Sequence, residues 1–88
     1  MNRYDGRVVV VTGAARGIGA GTAKRFADEG AHVAILDLDE ASAQQTAEGL
    51  GAGKAIGIGC NVTDAESVDK AAARIVAELG GWHVLVNN

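Results

Sequence analysis

Residues Arg7 to Thr12 read RVVVVT, an almost unbroken β-branched apolar run. A strand with one face in water alternates apolar and polar residues. A run without alternation belongs to a strand covered on both faces, as in a parallel sheet between layers of helices. The run leads directly into a glycine-rich turn, Gly13-Ala14-Ala15-Arg16-Gly17-Ile18-Gly19. Helical spacing takes over from Gly19 to Glu29. Ile18, Ala23, Phe26 and Ala27 fall on one side, and Lys24, Arg25, Asp28 and Glu29 fall largely on the other. Gly30 stands where a helix C-terminal cap tolerates a left-handed backbone. Buried strand, tight turn and amphipathic helix, in that order, confine the chain to an α/β design.

The remainder repeats the unit. His32 to Asp37 (HVAILD) is a second strand, and Asp39 is the N-cap of a helix running to about Glu48. A GLGAGK stretch, read as flexible, leads to a glycine-weakened strand from Ala55 to Asn61. Thr63 and Glu66 form a T-x-x-E capping box before a helix whose apolar stripe is Val68, Ala72, Ile75, Val76 and Leu79. Gly80 and Gly81 end it, and His83 to Asn87 is the fourth strand. Strands separated by helices must run parallel, with right-handed crossovers. The pattern predicts a Rossmann-type α/β fold with a truncated βαβαβαβ order over residues 1–88.

Composition narrows the function. At 88 residues the chain is at most one small domain. With 3% aromatics, its core must be built from Val, Ile, Leu and Ala. A net charge of −3 and the absence of a basic cluster argue against a nucleic-acid partner. No apolar run is long enough to span a bilayer, and the start, MNRYDGR, has no signal-peptide core, so no membrane partner is expected and the expected location is the cytoplasm. The single cysteine, Cys60, excludes an intrachain disulfide and reads as a small buried hydrophobe. His32 and His83 have no metal partners at ligand spacing and read as structural or exposed, and Trp82 reads as packing near the sheet edge.

The first turn carries the chemistry. Its glycines are spaced G-x-x-x-G-x-G rather than G-x-G-x-x-G, but the physical demands are the same. Gly13 lets the chain leave the strand sharply, Gly17 lets a pyrophosphate approach the backbone, and Gly19 lets the helix pack on the strand. The helix N-terminus then offers free amides and the positive end of its dipole to the phosphates. The P-loop pattern fails for want of a Lys-Ser/Thr pair. Asp37 ends the second strand eighteen residues after Gly19, near the separation at which a carboxylate accepts hydrogen bonds from the adenosine ribose. A carboxylate there repels a 2′-phosphate, which favours NAD over NADP. Arg16 is the counter-signal, a basic residue able to meet such a phosphate. Leu38 brings no second basic group and is read with Asp37 as part of the cofactor site.

The TGAARGIG turn, Asp37, the CNVTD segment from Cys60 to Asp64 and the final LVNN from Leu85 to Asn88 occur in this order. Together they resemble the short-chain dehydrogenase/reductase family over essentially the whole chain. The resemblance implies that Gly13, Arg16, Gly17, Ile18 and Gly19 cradle the dinucleotide. It implies that Asn61 and Val62 meet the adenine ring, Asn61 accepting from the adenine amino group through its side-chain oxygen where the family commonly has Asp. Asn87 and Asn88 match the start of an NNAG motif whose second Asn lies near the cofactor ribose. His83 stands where the family usually has Asp, which puts a local structural contact in doubt.

The family moves hydride between a nicotinamide cofactor and an alcohol or carbonyl substrate, with a Tyr, a Lys and a Ser handling the proton. The only tyrosine here is Tyr4, ahead of the first strand, and no Y-x-x-x-K is present. The chain is therefore expected to be the cofactor-binding portion of a longer enzyme, inactive alone, with the parent a homo-oligomer. The fourth strand is expected to lie beside the first and to leave an apolar edge that another segment covers. The alternative is a non-catalytic nucleotide-sensing module made only of the Rossmann half.

Overall fold

The computed structural model of the chain describes residues 4–14, 17–51 and 54–87. Its elements are β1 (Val8–Thr12), α1 (Gly17–Asp28), β2 (His32–Asp37), α2 (Glu40–Glu48), β3 (Ala55–Gly59), α3 (Ala65–Leu79) and β4 (Val84–Val86). All three strand pairings are parallel, in the order β3-β2-β1-β4. The order and direction are those expected from the sequence, with β4 beside β1.

Side-chain alternation along the two central strands explains their unbroken apolar character. Val9, Val11, Val33 and Ile35 join Ala23 and Ala27 of α1 and Ala43 and Ala47 of α2 in one core. Val8, Val10, Ala34 and Leu36 join Ala71, Ile75 and Leu79 of α3 in a second. Each strand thus feeds two cores, one on each face of the sheet. The α1 and α2 contributions are mainly alanines, so these helices lie close to the sheet. The closest approach is at Gly57: a Cβ there would land on the backbone of Ala43. The glycines of β3 are therefore a condition of packing α2 and not only a weakness of the strand. Gly59 works similarly, since a Cβ there would crowd Glu40. The Glu40 carboxylate accepts from the Gly59 backbone N–H at 3.0 Å. It also lies 3.8 Å from the Arg74 guanidinium of α3. The pair reaches around the outer strand from both helix layers and covers an otherwise open edge.

Several details differ from the sequence pattern. The helix α1 begins at Gly17, and Ile18 is 83% exposed instead of joining the packed face. The strands β1, β3 and β4 are each shorter than the apolar runs that contain them. In α3 the N-cap is Asp64, not Thr63: the Asp64 carboxylate accepts from Glu66 N–H at 3.1 Å. Thr63 is diverted because its hydroxyl donates to Asn61 at 2.6 Å. Val76 is 49% exposed, and the buried stripe runs through Ala71, Ile75 and Leu79. Leu50, in the stretch read as flexible, is buried against α2 and the sheet. Asp39 caps α2 as expected, accepting from Ser42 N–H at 3.2 Å and from its hydroxyl at 2.8 Å. Gly30 has the positive φ expected of it, 91°, and Gly80 ends α3 as a left-handed C-cap with φ of 89°.

The two histidines share one structural task at the N-terminal end of the sheet. His83 Nδ1 accepts from Val8 N–H at 2.9 Å, tying the start of β4 to the start of β1. His32 Nδ1 accepts from Lys54 N–H at 3.0 Å, tying β2 to the entry of β3. The contact in doubt at His83 is thus made, by an imidazole acting as acceptor. With Nδ1 accepting, the tautomer that fits each contact carries its N–H on Nε2.

Two outcomes are expected. Gly57→Val should lower stability by about 1–3 kcal/mol, the usual range for overpacking, or prevent folding, measured as the shift in urea midpoint. Nitrogen-15 NMR of the neutral imidazoles should find both histidines as Nε2–H tautomers; a neutral Nδ1–H form for either would contradict the hydrogen bond.

Candidate functional site

A parallel sheet delivers the C-terminal ends of all its strands to one edge. Here that edge brings together Thr12 and Gly13 at the exit of β1, Asp37 and Leu38 at the exit of β2, and Cys60 to Thr63 after β3, around an open cleft of about 310 Å³. Three of the four sequence motifs, separated along the chain, thus meet in space.

The turn after β1 begins at Gly13, whose φ of 61° only glycine adopts readily, and its N–H donates to Leu36 O at 2.8 Å. The backbone bond holds the exit of β1 against β2. Gly17 opens α1 with φ of 68°, and among the described residues a Cβ built there meets nothing within 4 Å beyond its chain neighbours and its own helix. No packing demand explains a glycine at that point; the backbone conformation and an open approach to the helix N-terminus do. Gly19 is buried under α1, in keeping with close helix packing. Ile18 faces outward beside Gly17. Arg16 lies outside the described residues.

Asp37 is half-buried at the end of β2, and its Oδ1 accepts from Asp39 N–H at 3.1 Å. That bond orients the carboxylate at the cleft mouth. Leu38 is 78% exposed and Val62 is 57% exposed, so each strand end offers an apolar side chain to the same opening. Neither Leu38 nor Val62 belongs to either hydrophobic core, so both present apolar surface at the cleft.

The loop after β3 is held tightly. Asn61 N–H donates to Ser67 Oγ at 3.0 Å, and Asn61 O accepts from Asp64 N–H at 3.0 Å. Asn61 Oδ1 accepts twice, from Thr63 N–H at 3.0 Å and from Thr63 Oγ1 at 2.6 Å. Both lone pairs of that oxygen are therefore used inside the loop. An adenine amino group would compete with the Thr63 hydroxyl for this oxygen. Cys60 is buried at the cleft floor, as expected of a small hydrophobe.

Thr12 is a site residue that the sequence pattern does not single out. It is buried at the end of β1, and its hydroxyl lies 3.2 Å from Asn87 Oδ1 and 3.4 Å from Val86 O. It ties the glycine turn to the Asn87 end of β4. Only the fold reveals this, because the residues are 75 apart in the chain. Asn88 lies outside the described residues. Among the described residues no cluster of His, Cys, Asp or Glu could hold a metal ion. No described helix is long and apolar enough to cross a membrane.

The short chain dehydrogenase family model matches residues 7–88. The chain belongs to the short-chain dehydrogenase family. Among family members, D-threitol dehydrogenase of Mycolicibacterium smegmatis is 44% identical over 88 residues, which are 98% of this chain and 34% of that protein. Galactitol 2-dehydrogenase of Agrobacterium fabrum is 45% identical over 87 residues, 98% of this chain and 33% of that protein. A crystal structure of a short chain dehydrogenase from Mycobacterium smegmatis superposes with a TM-score of 0.93 at 40% identity, covering all of this chain and 38% of that one. The chain spans about a third of the length of these short-chain dehydrogenases.

Proposed function

We propose that this chain is the NAD-binding portion of a short-chain oxidoreductase acting on an alcohol or carbonyl substrate. The observation that carries the reading is the convergence of Gly13, Asp37 and the Asn61-Val62 loop on one cleft at the C-terminal edge of the sheet. Ligands of open α/β sheets bind at this edge. The residues fit a dinucleotide. Gly17 leaves the α1 N-terminus open to a pyrophosphate, with Ile18 and Gly19 continuing the helix and Arg16 in the same turn. The Asp37 carboxylate is oriented for ribose hydroxyls, and Leu38 and Val62 offer apolar surface to a flat base. Asn88, next to Asn87 in the sequence, is assigned to the ribose by the family resemblance alone. When bound, nicotinamide accepts or donates a hydride.

Asp37 favours NAD over NADP because a carboxylate beside the 2′ position repels a phosphate. The substrate class has separate support: threitol and galactitol, in the names of two relatives, are both sugar alcohols. The chain alone is expected to show no turnover. Its single tyrosine, Tyr4, packs edge-on against Phe26 with ring centroids 4.9 Å apart, ahead of β1 and away from the cleft.

Asp37→Ala should weaken NAD by roughly tenfold or more, the loss of charge-assisted hydrogen bonds of about 1.5–3 kcal/mol, and should weaken NADP less. Gly17→Val should abolish binding of both. Calorimetry reads each outcome. Equal losses for the two dinucleotides in Asp37→Ala would remove the ribose assignment, and retained affinity in Gly17→Val would reduce the turn to a structural role.

A further inference from the structure

Asp39 has three roles at the mouth of the cleft. Its backbone N–H donates to Asp37 Oδ1 at 3.1 Å. Its carboxylate caps α2, with Oδ1 accepting from Ser42 N–H at 3.2 Å and Oδ2 from the Ser42 hydroxyl at 2.8 Å. It also brings a second negative charge to the turn that follows Asp37, and the capping bonds fix where that charge lies. The Asp39 nitrogen is 3.1 Å from Asp37 Oδ1, so ordinary bond lengths keep the Asp39 carboxylate within about 8 Å of that oxygen. Asp37 is among the lining residues of the cleft and Asp39 is not, so Asp39 reaches a bound molecule by charge and not by contact. Glu40, the next acidic residue, is turned to the sheet edge, where it accepts from Gly59 N–H at 3.0 Å and lies 3.8 Å from the Arg74 guanidinium.

This inference rests on the dinucleotide reading above, in which Asp37 accepts from the ribose hydroxyls. In NADP one of those hydroxyls carries a phosphate of about 1.5–2 negative charges, which stands beside Asp37. A helix N-terminus ordinarily helps such a group, through free amides and the positive end of its dipole. At α2 the Ser42 amide already serves the Asp39 carboxylate, and the charge fixed there has the wrong sign for a phosphate. Repulsion over that distance passes partly through water and is modest, but it acts on the phosphate and not on a hydroxyl. We propose that Asp39 is a second specificity-determining residue for the cofactor, a fixed carboxylate that disfavours NADP by charge alone. Its effect is separate from the hydrogen bonds assigned to Asp37.

The test is calorimetric titration of the chain and of Asp39→Asn with NAD and with NADP, at low and at high salt. Asparagine caps a helix as well as aspartate and keeps the backbone N–H, so the α2 cap and the bond that orients Asp37 are retained while the charge is lost. At about 0.01 M salt the ratio of NADP to NAD affinity should rise about threefold to fivefold in Asp39→Asn. At about 1 M salt, where screening acts within about 3 Å, the two proteins should show the same ratio. A loss of helix cap or of local structure has no reason to disappear with salt in this way. A ratio that does not move at low salt, NADP binding undetectable in both proteins, or a shift undiminished at high salt would overturn the inference and leave the dinucleotide reading standing. Failure of the unsubstituted chain to bind either dinucleotide would overturn both. If Asp39→Asn fails to fold, Asp39→Ser, a second uncharged cap, is held to the same outcomes.

Discussion

The burial of β1 on both faces is the constraint on which the structure depends. Every residue from Val8 to Thr12 is buried, so each peptide group of β1 must pair within the sheet and each side chain must pack beneath a helix. The strand is therefore flanked by β2 and β4, with α1 and α2 over one face and α3 over the other. Parallel pairing follows from the helical crossovers. It sends all the strand C-termini to one edge, where loops are freed from the sheet.

That edge is shaped by hydrogen bonds more than by apolar packing. Gly13 N–H is held by Leu36 O, Asp37 by the Asp39 N–H, and Asn61 by Thr63, Ser67 and Asp64. Each bond joins a strand end to its neighbour or to the helix that follows it. The cleft between them is consequently lined by oriented polar groups, while Leu38 and Val62 stand exposed beside it. The opposite end of the sheet is tied by two imidazoles, at His32 and His83, and takes no part in the cleft. The molecule thus has a cleft end and an anchoring end.

Features set by local periodicity were legible in the sequence. These include the doubly buried run of β1, the Asp39 cap, the glycine turn and the placement of Asp37 at a strand end. Features set by competition or by distant neighbours were not. Thr63 and Asp64 are both competent N-caps; Asp64 takes the role because Asn61 captures the Thr63 hydroxyl, a choice made by loop geometry. Gly57 reads as a weak strand residue until Ala43 of α2 is seen against it. Thr12 reads as the end of an apolar run until Asn87 is folded beside it. The family resemblance pointed to the Asn61 loop, but the engagement of its side-chain oxygen by Thr63 is set by the loop's own geometry and has no sequence signal.

The central claim is that the C-terminal edge of the sheet is the dinucleotide site. Two-dimensional 1H–15N NMR of the chain during titration with NAD tests it most directly. The resonances of Gly13, Gly17, Asp37 and Cys60 to Thr63 should move together and saturate, while those of Tyr4, His32, Lys54 and His83 stay in place. Movement confined to the histidine end, or none at saturating NAD, would contradict the account.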